Sequence, residues 1–466
     1  MGQPGYDPLN CRGGVVTMLK EKINTWRQDR LLQIVLRNSG YLFSSNTISM
    51  VLAAAQGFIA ALLLGPAAFG VLGMVIMFAS SVNRLLAFRM GELVIRFGGG
   101  YLATGHKQQA AAVIKYAGLA EAITSVAAYI LLVALAPLAA VYIIKIPSSS
   151  TLIVYYGLAL LVNMMTETCT AVMQVAGHYR TIALLNLSQS VLSMAWIGVV
   201  YLTGGGLPQV LTAYLAGKTL FGLGVMAMGI YWLRPLLGAN WWRVSYRQIP
   251  DLRKMLSFAI NTNLSGTINM LIRDSEVLWV GFFCNPLQAG YYKFALAVMN
   301  IILMPVTAIV SSTSPEINRS VAKRAWQPLR QMLSRTSIIA GVWTVACILG
   351  VLLFGPLVLS YLKHGAYLPS YPVILILMVG YGIANIFFWN RPLLLAFGQS
   401  IYPLQVNALA GLVKTALMFV FVPTYGFLAQ AVLLSTYLAV TVGTLVLRGI
   451  REMRKSESGT VVESEV

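Results

Sequence analysis

Arg84, Arg89, Glu92 and Arg96 fall in one stretch, NRLLAFRMGELVIR (residues 83–96), at the end of a long apolar run. Guanidinium groups grip phosphate or carboxylate oxygens through a planar fork, so arginines in excess of carboxylates are suited to holding an anion. At about 100° per residue the four positions span roughly 140° of arc, one face of a helix. A charge at a bilayer centre costs at least ~2.5 kcal/mol, so such a face is expected to meet a protein interior or a wet cavity. Apolar segments elsewhere hold Lys115, Glu121, Glu167, Lys218, Arg273, Asp274, Glu276, Lys293, Arg391 and Lys414. Lys115, Lys293 and Arg391 lie within about two helical turns of a segment end, where long side chains snorkel to water. The other seven lie deeper and are expected to face inward.

These groups divide by chemistry. Arg84, Arg89, Lys218, Arg273 and Lys414 are candidates for a cationic cavity that takes a phosphate-bearing or acidic substrate. Glu92, Glu121, Glu167, Asp274 and Glu276 are candidates for charge pairing or for a coupling ion, H+ or Na+. In MLIRDSEVLWVG, Arg273 and Glu276 stand at i,i+3 and can neutralise each other. Glu92 can pair with Arg89 or Arg96, but it cannot neutralise all three arginines of its stretch. Glu167, in NMMTETCT near Asn163, Thr166 and Thr168, can carry an ion or serve as a hydrogen-bonded link between helices.

Other chemistries find no support. His106, His178 and His364 are dispersed, and Cys11, Cys169, Cys284 and Cys347 have no CxxC or zinc spacing, so no metal and no cofactor is expected. AGKT at 216–219 has Thr212 where a phosphate loop needs its first glycine, and no strand precedes it.

The elements that position these residues are membrane spans. The 466 residues are 58% hydrophobic and 10% charged, against about 25% charge in a soluble domain. Windows long enough for a ~30 Å core give twelve spans, at 42–63, 67–90, 110–143, 152–176, 181–203, 208–233, 256–284, 290–313, 335–362, 371–397, 401–422 and 427–447. Lys and Arg sort by side. The loops 64–66, 144–151, 204–207, 285–289, 363–370 and 423–426 hold only Lys145 and Lys363, whereas 234–255 and 314–335 hold five each. This alternation predicts both termini in the cytoplasm, accounts for much of the +19 net charge, and leaves no role for nucleic acid. The short charge-poor loops exclude an external catalytic domain.

Five regions follow: a cytoplasmic amphipathic arm (1–40), a six-helix bundle (41–233), a cytoplasmic linker (234–255), a second six-helix bundle (256–447) and a cytoplasmic tail (448–466). The stretch 15–36 of the arm reads as a helix on an anionic leaflet, with no signal-peptide core. Trp241 and Trp242 suit a linker helix at the headgroup level, and the tail after Leu447 reads as disordered. The bundles repeat one another. Pro66 and Gly70 of LGPAAFGVLG match Pro286 and Gly290 at an offset of 220, PLAAVY (137–142) matches PLVLSY (356–361) at 219, and Gly177 and Asn186 match Gly398 and Asn407 at 221. Parallel six-helix repeats place a substrate site between the halves.

With twelve spans, two halves and an arginine-bearing second span, the chain resembles the bacterial polysaccharide-transport family of oligosaccharide-lipid flippases (O-antigen and exopolysaccharide type). That family belongs with the MATE drug exporters and lipid II flippases. The likeness is strongest in LLLGPAAFGVLGMVIMFASSV and in RDSEVLWVGFFCNPLQAGYYKFALAV, where Asp274, Gly281 and Gly290-Tyr291-Tyr292 match the family pattern. The resemblance implies an all-α, MATE-like pair of bundles in the bacterial inner membrane, around a cationic cavity. It implies alternating access that moves an undecaprenyl-pyrophosphate-linked oligosaccharide outward, with Arg84, Arg89 and Arg273 on the pyrophosphate or acidic sugars. Membrane lipids, and a polysaccharide polymerase with its chain-length machinery, are the partners it implies. A MATE-like exporter of cationic drugs shares the plan, but an excess of inner Arg and Lys counts against it. An enzyme joining sugar chains would need catalytic groups and a large external loop, and a scaffold gives no reason for inner charges.

Overall fold

The computed structural model of the protein describes residues 30–249, 252–399 and 401–457, and every regular element among them is helical. Lipid offers backbone groups no partner, so long apolar runs close their hydrogen bonds within one segment. Among the described residues nine helices are long and apolar enough to cross a membrane. Two of them, Arg30–Leu86 and Ile401–Glu457, contain 57 residues each. Unbroken, each would run about 85 Å against a core of about 30 Å. Gly65 (φ 75°, ψ 171°) and Gly426 (φ 65°, ψ −152°) break them in conformations that only glycine adopts freely. Dividing each there, and adding the interrupted segment 252–283, yields the twelve spans. An even number places residues 30 and 457 at the same end of the bundle.

The repeat is visible in the backbone. Gly177 and Gly398 both have positive φ (80° and 75°), as do Lys145 and Lys363 (59° and 49°) in corresponding charge-poor loops. The fourth span breaks between Ser149–Val162 and Thr166–Val175, and the tenth between Tyr371–Ile386 and Asn390–Ala396. The two PxxxG copies pack on each other. A methyl group on Gly290 would overlap the Pro66 carbonyl oxygen, and one on Gly70 would overlap the Pro286 carbonyl oxygen. Beside this crossing, Lys363 Nζ donates to the Leu63 carbonyl (2.6 Å), Lys145 Nζ to the Cys284 carbonyl, and the Tyr367 hydroxyl to the Ala61 carbonyl (2.8 Å). Each lysine crosses to the other half and meets the carbonyl end of a helix, where a cation is favoured.

One apolar core fills this charge-poor end, with Phe69, Leu72 and Met74 packed among Tyr292, Phe294 and Tyr367. Toward the charge-rich end the core divides. Met90, Leu93, Ile114 and Leu233 form one cluster with Met255, while Ile317, Leu333, Trp389, Leu393 and Val446 form another in the C-terminal half. The halves are therefore sealed at one end and parted at the other, except where the start of the seventh span (Met255, Ala259) stays packed on the N-terminal cluster. Large apolar side chains such as Ile130 (63% exposed) and Leu353 (72%) stand on the periphery, where lipid covers them.

Four expectations change. The stretch 83–96 is not one helix: the first helix ends at Leu86, and Met90–Leu93, a π turn Val94–Gly98 and Gly99–Ala103 follow. Asn263 donates to the Ala87 carbonyl (2.6 Å), and Gly98-Gly99-Gly100 weakens the continuation. The linker forms two 3₁₀ turns, Trp241–Arg243 and Tyr246–Gln248, in place of a helix, and Trp241 turns into the N-terminal cluster. The basic stretch 314–335 is largely helical, extending Pro286–Ala322 and Trp326–Tyr361 beyond the core. The tail is helical to Glu457, because Met453 is buried against the C-terminal cluster and Arg448–Glu452 (3.0 Å) and Arg330–Glu457 (3.3 Å) pair alongside. The amphipathic reading of 15–36 falls mostly outside the described residues.

Candidate functional site

The charge-rich end opens into a branched cavity whose parts meet at Arg84 and Asp274. Arg84, from the end of the second span, pairs with Asp274, from the break in the seventh, so one ion pair joins the two halves. One chamber of about 480 Å³ runs past this pair toward Lys218 and Lys293. A second, about 660 Å³, holds Arg89, Glu92 and Glu167, and a third, about 510 Å³, lies in the C-terminal half with Arg273 and Arg391. A smaller recess of about 240 Å³ reaches Glu121, Glu167 and Lys218.

Helix breaks aim these groups. Arg89 lies in the gap after Leu86 and pairs with Glu92 one turn on (2.7 Å). Arg96 leaves the site, since the π turn carries it over the rings of Phe97 and Phe258 (5.5 and 4.9 Å). A second π turn, Met270–Asp274, does the same for the seventh span. Arg273 faces the C-terminal chamber, while Glu276, 1% exposed, points into the protein. The Arg273–Glu276 pair that their i,i+3 spacing allows does not form.

Glu276 instead pairs with Lys414, and the structure moves Lys414 off the central cavity. Its ammonium also donates to the Ile272 carbonyl (2.6 Å), while Tyr292 (2.8 Å) and Gln430 (2.7 Å) donate to the same carboxylate. Glu121 is committed as well. At 5% exposure its two oxygens accept the backbone N–H groups of Glu167 (2.8 Å) and Thr168 (2.9 Å), which caps Thr166–Val175 where the fourth span restarts. Glu121→Ala is expected to lower stability by about 1–3 kcal/mol, since the buried Thr168 amide and the part-buried Glu167 amide lose their acceptor. Glu121→Gln, which keeps one acceptor oxygen, should lose less. Thermal unfolding in detergent checks this, and equal stability of all three proteins would remove the capping role.

Glu167 itself reaches the second chamber, where its carboxylate accepts the backbone N–H groups at the start of Met90–Leu93, from Gly91 (3.5 Å) and Met90, with Arg89 nearby. Lys115 behaves as expected at a helix end, donating to the Val244 carbonyl (3.1 Å) beneath the linker. Arg391, exposed in the first turn of Asn390–Ala396, lines the C-terminal chamber, but Lys293 departs from the expectation. Lys293 lies over the Phe69 ring (4.1 Å), bonds the Phe69 carbonyl (3.3 Å) and fills the hollow left by Gly73. Gly73, three residues after Gly70, is the one signal in the sequence for that placement. Around the connected chambers six cations (Arg84, Arg89, Lys218, Arg273, Lys293, Arg391) face four carboxylates (Glu92, Glu121, Glu167, Asp274) among the described residues. Two of the carboxylates are held by arginines, and among the described residues none lies within 4.0 Å of Lys218, Lys293, Arg273 or Arg391. An anion is the complementary guest.

Comparison with known proteins agrees with this architecture. Residues 59–362 match the family model described as polysaccharide biosynthesis protein. The inner membrane protein YghQ of Escherichia coli (strain K12) is 23% identical over 359 residues, 76% of this chain and 99% of that protein. A multidrug resistance MATE family transporter of the MOP superfamily, in an inward-facing conformation, superposes with TM-score 0.68 at 16% identity, covering 89% of this chain and 96% of that one. The lipid II flippase MurJ in an inward closed conformation gives 0.67 at 13% identity, covering 90% of each chain. A MOP superfamily transporter from Pyrococcus furiosus, noted for a binding pocket of reverse polarity, gives 0.60 at 14%, covering 91% and 96%. The structural neighbours are transporters and a flippase.

Proposed function

The chain belongs to the polysaccharide biosynthesis protein family and is a multi-pass inner membrane flippase or exporter, and from that premise we propose that it moves an undecaprenyl-pyrophosphate-linked oligosaccharide to the outer leaflet by alternating access. The observation that carries this reading is the excess of basic side chains over carboxylates around the inter-half cavity among the described residues. Arg84 and Arg89, at its charge-rich mouth, would exchange Asp274 and Glu92 for the pyrophosphate, which their planar forks can grip through bidentate hydrogen bonds, with Lys218 and Lys293 deeper in. The polyprenyl tail stays in lipid beside the bundle. Both termini lie in the cytoplasm on this reading, so the parted end faces the side where the substrate is made. Opening the sealed end and closing the parted one would complete the cycle.

Glu167 lines both the second chamber and the inner recess and, among the described residues, has no ion pair within 4.0 Å, which makes it the place for a coupling H+ or Na+. On the outer side the product would pass to a polysaccharide polymerase and its chain-length machinery.

The test is a gene deletion followed by mass spectrometry of extracted lipids. Accumulation of a polyprenyl-pyrophosphate oligosaccharide with loss of surface polymer is the expected result. Wild type should rescue, and Arg84→Ala/Arg89→Ala, at equal membrane level, should not. Normal surface polymer with raised drug sensitivity would replace this reading with a MATE-like drug exporter.

A further inference from the structure

The repeat brings one lysine to the line where the two halves meet. Gly70 and Gly290 stand at the repeat offset of 220, and each packs on the backbone of the other's segment, as equivalent residues do beside an axis that relates two like halves. One turn further from the sealed end, the same offset pairs Gly73 with Lys293. These two also meet, since a methyl group on Gly73 would overlap the Lys293 side chain. Lys293, on the eighth span, therefore fills a hollow in the second span that its own counterpart leaves open. A lysine in both copies would set two ammonium groups against each other near the axis. One copy carries the charge and the other makes room.

Neutral groups hold that charge. Lys293 Nζ donates to the Phe69 carbonyl (3.3 Å) and lies over the Phe69 ring (4.1 Å), and among the described residues no carboxylate is within 4.0 Å of it. Phe69 is 1% exposed and belongs to the apolar core that fills the sealed end. Lys293 also lines the chamber of about 480 Å³ that reaches Arg84 and Asp274. One side chain thus touches both the seal and the space for substrate. Hydrogen bonds in which both partners are charged are about twice as strong as neutral ones, whereas a ring face and a carbonyl offer an ammonium only partial charge. An anion that reaches the inner end of the chamber is therefore the stronger partner and would draw the ammonium off Phe69.

We propose that Lys293 is an anion-sensing latch of the sealed end: without an anion it ties the eighth span to the second, one turn inside the glycine crossing, and an anion in the chamber releases that tie from within. The proposal deepens the flippase reading and rests on it for a diphosphate headgroup as the anion. It sets the order of the cycle, because the charge-poor end loosens once the cavity is loaded and stays shut otherwise. An anion held only by Arg84 and Arg89 at the mouth binds without release.

The experiment uses the full-length protein in lipid nanodiscs, with the cysteines other than Cys284 replaced by serine and the labelling rate of Cys284, beside the seal, by a water-soluble maleimide as readout. Inorganic pyrophosphate and farnesyl pyrophosphate are the probes, at saturation as fixed by calorimetry, against chloride at matched ionic strength. In the wild type both should raise the rate at least about fivefold, the order expected for one lost hydrogen bond. Lys293→Met keeps a stem in the hollow without a charge. It should still bind pyrophosphate through Arg84 and Arg89, yet hold its basal rate. Gly73→Ala presses only on the flexible end of Lys293, so it should fold and label fast with or without pyrophosphate. An unchanged wild-type rate at saturating pyrophosphate, a Lys293→Met response equal to that of the wild type, or a Gly73→Ala protein that labels as slowly as the wild type each overturns the latch. A wild type that binds neither diphosphate counts against the flippase reading itself. A response to pyrophosphate without one to farnesyl pyrophosphate keeps the latch and assigns it to a free anion in place of a lipid headgroup.

Discussion

Gly290→Val is expected to abolish transport while the protein still reaches the membrane. A side chain at Gly290 would overlap the Pro66 carbonyl, and one at Gly70 would overlap the Pro286 carbonyl. These are backbone atoms at the centre of the sealed end, so neither can swing aside as a long side chain would. The halves must separate there, and the state closed at the charge-poor end is lost. Cys284, half-buried beside this seal, provides a native reporter. With the other cysteines replaced by serine, its labelling by a membrane-impermeant maleimide should rise severalfold in Gly290→Val. Lipid-linked oligosaccharide should accumulate to the level of the deletion. Lys145→Met/Lys363→Met should shift labelling in the same direction by less, because it removes two hydrogen bonds at the rim and leaves the glycine crossing intact. Unchanged labelling and transport in Gly290→Val would show that this crossing does not close the path.

Lys414→Met should cost about 3–5 kcal/mol of stability, the penalty for stranding one member of a buried ion pair. Glu276 and Lys414 are 1% and 5% exposed at their side chains, so water cannot take over when the ammonium is removed. Tyr292 and Gln430 would still donate to the carboxylate, but neither carries charge. The double variant Glu276→Gln/Lys414→Met removes both charges and keeps a side-chain amide for the remaining partners. It should recover most of the loss, as replacements of whole buried pairs commonly do. Thermal unfolding in detergent, together with the amount of protein in membranes, reads the cycle. A single variant as stable as wild type yet unable to bind pyrophosphate would return Lys414 to the substrate path.

Much of the architecture was legible because lipid imposes it. Twelve spans follow from apolar length, the distribution of Lys and Arg sorts the loops by side, and the recurrence of PxxxG near an offset of 220 announces two like halves. The same reading collected Arg84, Arg89, Glu92, Glu167, Lys218, Arg273 and Asp274, all of which border the connected chambers. Three assignments failed for related reasons. Arg96 was assigned to a helical face that ends at Leu86, Lys414 to a cavity that its helix turns away from, and Lys293 to an interface that Gly73 lets it avoid.

The sequence alone thus determined composition-driven properties: membrane residence, number of spans, the repeat, and the surplus of inner cations. These depend on sums and periods along the chain, which survive any local error. Only the tertiary structure decided which charge meets which. A π turn adds one residue to a helical circuit and rotates all that follows by about 100°. The turn Met270–Asp274 is enough to send Arg273 to the cavity and Glu276 to Lys414, and the turn Val94–Gly98 carries Arg96 onto two aromatic rings. Such turns are held by contacts from distant spans, so their effect on pairing is set in space.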